Sequence, residues 1–191
     1  GVPASQAGPD VRAVEVLLQN EHRDWHAWQR GALDSLNDSI AIGTSQESDE
    51  SIVELIKRGQ QYEADSGGLF NPAMGRLFRL WGFQQDEPAT QVPDPAAIES
   101  LLNQAPQMRD IPVEGRRVRS ANPAVQPDFG GLAQGISVDQ ALSLPQTRRL
   151  QHLLVNAGPD LCPSGIAGHR PTPIALPAPS PRSLLAILER D

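Results

Sequence analysis

Apolar residues recur at helical spacing through the first half of the chain. The first such stretch predicts an amphipathic helix from about residue 11 to 28, with Asp10 as its N-cap. Its apolar positions are Val14, Leu17, Leu18, Trp25 and Trp28. A second, shorter helix is predicted from Leu33 to near Gly43. Residues 1–9 are small, polar and contain proline, so they are predicted to form a flexible leader outside the fold.

Three further helix starts carry cap signals. Ser48, Asp49 and Glu50 place hydrogen-bond acceptors and negative charge at the start of a third helix, which is predicted to stop at Gly67-Gly68. Asn71-Pro72 predicts the cap and first turn of another helix, and so does Asp94-Pro95. The apolar stripe of the third helix is formed by Ile52, Val53, Leu55 and Ile56.

The periodicity changes in the second half of the chain. Short strands are predicted at Ile111–Val113, Val118 and Ala124–Val125, around a turn at Glu114-Gly115, and Gly130-Gly131 then leads into a helix. Later apolar runs predict three strands, at Leu153–Asn156, Ile174–Leu176 and Leu184–Leu188. The predicted fold is α+β, with a helix-rich N-terminal half packed on a mixed or antiparallel sheet from the C-terminal half, as one domain over residues 10–191.

Composition excludes several classes of protein. The 191 residues carry a net charge of −7, which argues against a general nucleic-acid binder. The single Cys162 excludes an internal disulfide and a thiolate zinc cluster. No apolar run is long enough for a transmembrane helix, and no signal peptide is recognisable. The 16 glycines and 18 prolines indicate many loops.

Three glycine-bearing segments are candidates for chemistry. Glycines in Ser66–Pro72 would let backbone N–H groups approach a phosphate or a flat ring, but they also fit a helix C-cap followed by an N-cap. In Asp128–Gly135, Asp128 could accept a hydrogen bond from a ring N–H and the freed carbonyls suit Mg²⁺, or the segment is an ordinary strand-to-helix turn. The third segment, Val155–Leu161, also fits a tight loop at a sheet edge.

Other catalytic signatures are weak. His22 and His26 share a helix face, but no HExxH pattern accompanies them, and partly exposed polar positions explain them as well. No GxSxG motif supports a serine nucleophile.

Four segments in this order resemble the ApbE-type FAD:protein FMN transferases. They are Trp25–Asn37, Ser66–Phe83, Asp128–Asp139 and Val155–Leu161. The resemblance implies a periplasmic enzyme, with a possible lipid anchor in its precursor. Such an enzyme uses FAD and Mg²⁺ and transfers FMN to a Thr or Ser hydroxyl of an electron-transfer protein. No nucleic-acid partner is expected.

The resemblance also assigns roles to residues. The residues that it places at the FAD site are Trp28, Gly68, Leu69, Phe70, Asn71, Asp128 and Gln134. Gly131 would offer its carbonyl oxygen to Mg²⁺. Gln134 stands where the family usually has Lys or Glu, and Pro159 replaces a usual glycine.

Two family segments have no counterpart here, namely an initial Met-Gly-Thr strand and a later metal-binding segment with Asp and Thr ligands. Three hypotheses follow: an active transferase whose missing ligands come from a second chain or from sequence absent here, a non-catalytic FAD-binding or protein-interaction module, and a fragment of the enzyme. A homodimer or a second chain is expected to complete the sheet. A sheet without those strands would have open edges that need a partner.

Overall fold

The computed structural model describes residues 4–85, 89, 91–144, 153–157, 160–164, 172–177 and 184–190. Its helices are α1 (Ala4–Trp25), α2 (Ala32–Ala41), α3 (Glu50–Asp65), α4 (Gly75–Leu80), α5 (Pro95–Asn103) and α6 (Gly130–Ser143), with a 3₁₀ turn at Met108–Asp110. Its strands are β1 (Gln46–Glu47), β2 (Val113–Glu114), β3 (Arg117–Val118), β4 (Leu153–Ala157), β5 (Asp160–Ser164), β6 (Thr172–Pro177) and β7 (Leu184–Arg190). The predicted α+β class is confirmed.

The strands form three separate antiparallel groups in the described part of the chain. One has the order β1-β3-β2, and the other two are the ribbons β4-β5 and β6-β7. The predicted antiparallel pairing is confirmed, and the described strands divide into three groups. β1 comes from the N-terminal half and pairs Gln46 with Val118. Neither β1 nor β5 was predicted, because β1 is only two residues long and β5 contains a proline and polar residues.

The chain divides into two compact units, and the first comprises Leu18–Ala133. Its core is built from the apolar stripes of α2 and α3, as the periodicity predicted, together with side chains from the later turns. The fully buried large side chains of this unit include Leu33, Leu36, Ile40, Ile52, Leu55, Ile56, Met108, Ile111, Val118, Val125 and Phe129.

The second unit comprises Gly1–Leu17 and Gln134–Asp191. Here Val138 and Ala141 of α6 pack with Val155 of β4 in a small buried cluster. Partly buried apolar residues surround this cluster, among them Val14, Leu17 and Cys162. The unit boundaries fall within α1 and α6, and the prediction of a single domain over residues 10–191 stays a prediction.

Helix α1 begins earlier and ends earlier than predicted. It starts at Ala4, so residues 4–9 of the predicted flexible leader are helical, with Pro9 inside the helix. Ala and Gln in this segment favour helix, and Pro9 removes only one intrahelical N–H donor. The helix ends at Trp25. Trp28 therefore lies in the connection to α2 and not on a helix.

The structure differs from the prediction at two other segments. In each of them, hydrogen bonds to a side chain or to a paired backbone segment replace those of the predicted element. Asn71-Pro72 opens a turn, and α4 begins only at Gly75, because the backbone of Ala73 and Gly75 bonds to Gln126. Ala124–Val125 is a turn and not a strand. There the side-chain oxygen of Asn122 accepts from the backbone N–H of Ala124 at 3.0 Å.

Several predicted elements in the second half of the chain are present. The turn at Gly115 joins β2 and β3, and β4, β6 and β7 lie where strands were predicted. The predicted loop residues Gly158 and Pro159 lie outside the described residues. So do residues 178–181 of the Pro-rich stretch 177–181, whose composition predicts a turn between the last two strands. No described helix is both long and apolar enough to span a bilayer.

Candidate functional site

The end of α3 shapes the first glycine segment. Gly67 and Gly68 have positive φ angles of 62° and 84°, and their N–H groups bond back to Ala64 and Glu63. This is the C-cap that the alternative interpretation of the segment described. The cap turns the chain so that Leu69 and Phe70 follow immediately. The hydroxyl of Ser66 fixes this exit by accepting from the N–H of Phe70 at 3.0 Å.

The Asn71 side chain is occupied at both ends by the protein backbone. Its oxygen accepts from the N–H of Ala73 at 2.9 Å, and its amide nitrogen donates to the carbonyl of Pro106 at 2.8 Å. These bonds hold the turn after Phe70 in place. They also assign Asn71 a structural role in addition to the predicted contact with FAD.

The Asp128 segment lies directly beside the Asn71 turn. The N–H of Asp128 donates to the carbonyl of Pro72 at 2.9 Å, and the Gln126 backbone bonds to both Ala73 and Gly75. Two motifs more than fifty positions apart therefore share one short stretch of paired backbone. Phe70 also lies close to Gly131. A Cβ atom built at Gly131 would be 3.3 Å from the nearest atom of the Phe70 ring.

A buried amide joins the Trp28 loop to the same region. The Asn37 side chain of α2 donates to the carbonyl of Ala27 at 3.5 Å and to that of Pro127 at 3.1 Å. The residues that precede Trp28 and Asp128 are thereby held by one side chain. Trp28 is half-buried, and its ring meets the His26 ring edge-on at a centroid distance of 4.3 Å.

The Asp128 carboxylate accepts hydrogen bonds on both oxygens. Oδ1 accepts from the N–H of Gly130 at 3.0 Å, and Oδ2 accepts from the Gln84 amide at 2.7 Å. Gln84 was missed by sequence reasoning, because the two residues are 44 positions apart and Gln84 follows no recognisable motif. Asn37 was quoted within a motif but was not assigned to the site.

A surface cavity of about 620 Å³ adjoins the first glycine segment. Gly68 and Asn71, two of the predicted FAD-site residues, line it together with polar side chains. Those side chains are Gln60, Glu63, Gln107 and Arg109. The Glu63 carboxylate accepts from the N–H of Met108. Arg109 is the cationic side chain among the described residues of the lining.

Leu69 and Gln134 are the remaining two residues that the resemblance places at the FAD site. Leu69 is 93% exposed, so its side chain is available to solvent or to a ligand and is packed against little protein. Gln134 belongs to the second unit, where its amide donates to the carbonyl of Ala157 in β4.

The residues that the structure describes do not by themselves fit a protein-held Mg²⁺. Gly131 offers a backbone carbonyl at the start of α6, and the described residues contain no group of three or more His, Cys, Asp or Glu able to hold a metal ion. Mg²⁺ requires a nearly octahedral set of oxygen ligands. One carbonyl supplies a single ligand of that set.

Comparisons with known proteins agree on one family. The model of the ApbE family matches residues 6–191. The chain is 37% identical over 179 residues to the FAD:protein FMN transferase of Rhodobacter capsulatus, across 94% of this chain and 34% of that protein. It is 28% identical over 172 residues to the FAD:protein FMN transferase of Treponema pallidum, across 86% of this chain and 46% of that protein. The chain thus spans less than half the length of these curated relatives.

Solved structures show the same similarity. The apo flavinyl transferase ApbE of Pseudomonas stutzeri matches with a TM-score of 0.78 and 25% identity, covering 100% of this chain and 59% of that one. The ApbE protein of Thermotoga maritima matches with a TM-score of 0.80 and 26% identity, covering 94% of this chain and 60% of that one.

Proposed function

The chain belongs to the ApbE family, and from this membership we propose that it binds FAD and transfers FMN from it to a Thr or Ser hydroxyl of another protein. One observation carries the proposal: three separated segments that hold Trp28, Phe70 and Asp128 meet within the unit Leu18–Ala133. The alternative proposal is an FAD-binding module without transfer activity.

The chemistry of these side chains suits a flavin nucleotide. Trp28 and Phe70 are aromatic surfaces on which a flat ring can stack or pack edge-on. Each oxygen of Asp128 retains a lone pair and can accept from a ring N–H. Arg109 offers a positive charge to a phosphate group at the adjacent cavity, which the Glu63 carboxylate also lines.

The proposed reaction is a phosphoryl transfer. The acceptor hydroxyl oxygen bonds to the phosphorus of the FMN portion, the pyrophosphate P–O bond breaks, AMP leaves and the hydroxyl proton is released. The chain's own residues would contribute by binding and orienting FAD, which is a large part of catalysis in reactions of this type. A Mg²⁺ requirement is part of the proposal by family membership. The described residues do not identify its ligands.

The experiment mixes the purified chain with FAD, with and without Mg²⁺, and a peptide that carries an acceptor Thr. The expected result is a covalent fluorescent peptide whose mass increases by that of the bound FMN group, and none on a matched peptide with Val in place of Thr. FAD binding without an adduct would support the FAD-binding module. Absence of any FAD binding would contradict both proposals.

Phe70→Ala tests the site itself against a matched control. Phe83 is 72% exposed and outside the proposed site, so Phe83→Ala should leave FAD affinity unchanged. Phe70→Ala removes a ring that lies against Gly131 and whose centroid is 6.3 Å from the centroid of the Tyr62 ring. This substitution should weaken FAD binding about tenfold.

Three further expectations rest on the family resemblance alone. They are a periplasmic location, an acceptor that belongs to an electron-transfer complex, and a homodimer or second chain that completes the sheet. We propose them together with the activity. Flavin labelling of the proteins of the source cell would identify the acceptor and its compartment.

A further inference from the structure

Asp128 is held by a hydrogen-bonded chain that begins at a surface arginine. Arg79, near the end of α4, donates from Nε to Oε1 of Gln84 at 3.1 Å. Gln84 in turn donates from Nε2 to Oδ2 of Asp128 at 2.7 Å. The other oxygen of Asp128 accepts from the N–H of Gly130 at the start of α6.

The chemistry of the two end groups fixes the orientation of the Gln84 amide. A guanidinium has donors only, so it must face the amide oxygen. A carboxylate has acceptors only, so it must face the amide nitrogen. Flipping the amide by 180° would place donor against donor at Arg79 and acceptor against acceptor at Asp128. Gln84 therefore has one favourable orientation.

This chain leaves the Asp128 carboxylate with a defined plane. Its two oxygens are each bound to a different partner, so rotation of the carboxyl group would break one bond or both. Gln84 and Asp128 are partly buried, so the charge-assisted bond between them is less exposed to water than the bonds to Gly130 and Arg79 at either end of the chain. A group that is oriented before the ligand arrives loses less conformational entropy on binding.

We propose that Gln84 is a positioning residue, which Arg79 orients and which aims the Asp128 carboxylate at the N–H of the bound flavin ring. The inference rests on the proposed function, since it assumes that FAD binds next to Asp128. Gln84 acts through Asp128 and makes no contact with the ligand itself. Its effect should therefore disappear when the Asp128 carboxylate is absent.

The test is a double-mutant cycle on FAD affinity, measured by calorimetry with the full chain. The variants are Gln84→Leu, Asp128→Asn and the combination of the two. The control is Gln85→Leu, because Gln85 is the exposed neighbour and lies outside the hydrogen-bonded chain. Thermal unfolding of each variant checks that it remains folded, and Gln84→Glu provides an isosteric second variant that also lacks the donor.

The expected result has three parts. Gln84→Leu and Gln84→Glu should each weaken FAD binding about five- to tenfold. Gln85→Leu should leave the affinity within about twofold of that of the original chain. In the Asp128→Asn background, Gln84→Leu should have almost no additional effect, because the group that it positions is gone.

The outcomes separate the two proposals. If the original chain binds FAD and Gln84→Leu binds it equally well, the positioning role is wrong and the proposed function stands. The positioning role is also wrong if Gln84→Leu weakens binding equally with and without the Asp128 carboxylate, since Gln84 then acts by another route. If the original chain does not bind FAD, the proposed function fails and this inference fails with it.

Discussion

At the scale of the residue, amide side chains organise the candidate site. Asn37, Asn71 and Gln84 each bridge two groups that are distant in the sequence. An amide carries both donors and acceptors, so it can join two backbone groups, or a cation and a carboxylate. The motifs predicted a set of candidate segments, but the partners of these amides depend on the tertiary fold and leave no signal in local spacing.

Trp28 is the residue whose predicted role is simplest to test. If its ring flanks the flavin, Trp28→Ala should weaken FAD binding about tenfold, because stacking on an aromatic ring contributes roughly 1–3 kcal/mol per base. Trp28→Phe should recover part of the affinity. The matched control is Trp81→Ala, since Trp81 is 38% exposed and outside the proposed site. Equal losses in both alanine variants would contradict a specific role for Trp28.

Asn37 should matter for stability as well as for the site. Asn37→Ala leaves the carbonyls of Ala27 and Pro127 without this donor inside the protein, and an unsatisfied buried polar group costs about 1–3 kcal/mol. We expect a loss of that size in the free energy of unfolding, measured by urea denaturation. Asn20→Ala on the exposed surface of α1 is the control and should change it by less than about 0.5 kcal/mol.

At the scale of the element, the sequence predicted helices α2 and α3 and the hairpin β2-β3, but not the strand β1 that pairs with β3. The periodic apolar stripes of α2 and α3 predicted both the positions of these helices and their buried faces. This was possible because the spacing of apolar residues along a helix is a local signal. Strands β1, β2 and β3 are two residues long, and their pairing depends on a partner distant in the sequence. Even the predicted cap Asp49 directs its carboxylate towards Arg116, at 3.3 Å, and not to its own helix.

Two helix-interior glycines should respond to alanine in opposite directions. A Cβ at Gly59 of α3 would lie 3.0 Å from the Met108 side chain and 3.2 Å from the Phe129 ring, whereas a Cβ at Gly135 of α6 would meet no atom of the described residues within 4 Å. Alanine favours helix over glycine by about 1 kcal/mol, and overpacking a core costs about 1–3 kcal/mol.

Gly59→Ala should therefore lower the free energy of unfolding, and Gly135→Ala should raise it by up to about 1 kcal/mol. Each variant serves as the control for the other in the same thermal and urea denaturation series. If Gly59→Ala instead raised the free energy of unfolding, Met108 and Phe129 would have to move aside at little cost. The close packing at Gly59 would then contribute little to stability.

At the scale of the whole molecule, the acidic surplus opposes an anionic ligand. The chain has a net charge of −7, and the FAD pyrophosphate is also negative. Long-range repulsion between them is screened by salt, with a Debye length of about 10 Å at 0.1 M. We expect the association rate of FAD, measured by stopped-flow fluorescence, to rise with ionic strength.

Neutral riboflavin is the control for this electrostatic prediction, since it has the flavin ring without the phosphates. Its association rate should change little over the same range of salt. A rate for FAD that falls as salt is added would mean that local cations such as Arg109 dominate over the net charge.

The distribution of the candidate site over the chain leads to a prediction about amide exchange. Trp28, Phe70 and Asp128 all belong to the unit Leu18–Ala133, and their segments are joined by backbone pairing and by Asn37. FAD at about 100 times its dissociation constant stabilises the bound form by roughly 2.7 kcal/mol. Amides that exchange by local opening of the site should then exchange about a hundredfold more slowly.

Hydrogen exchange followed by mass spectrometry, with and without FAD, measures this effect by segment. We expect slower exchange at residues 26–31, 66–75 and 126–131, because opening any of these segments would disrupt a contact with the ligand. The ribbon β6-β7 contains no predicted site residue, so it serves as the internal control and should exchange unchanged. Slowing confined to β6-β7 would place FAD elsewhere, and the three segments would then owe their proximity to folding alone.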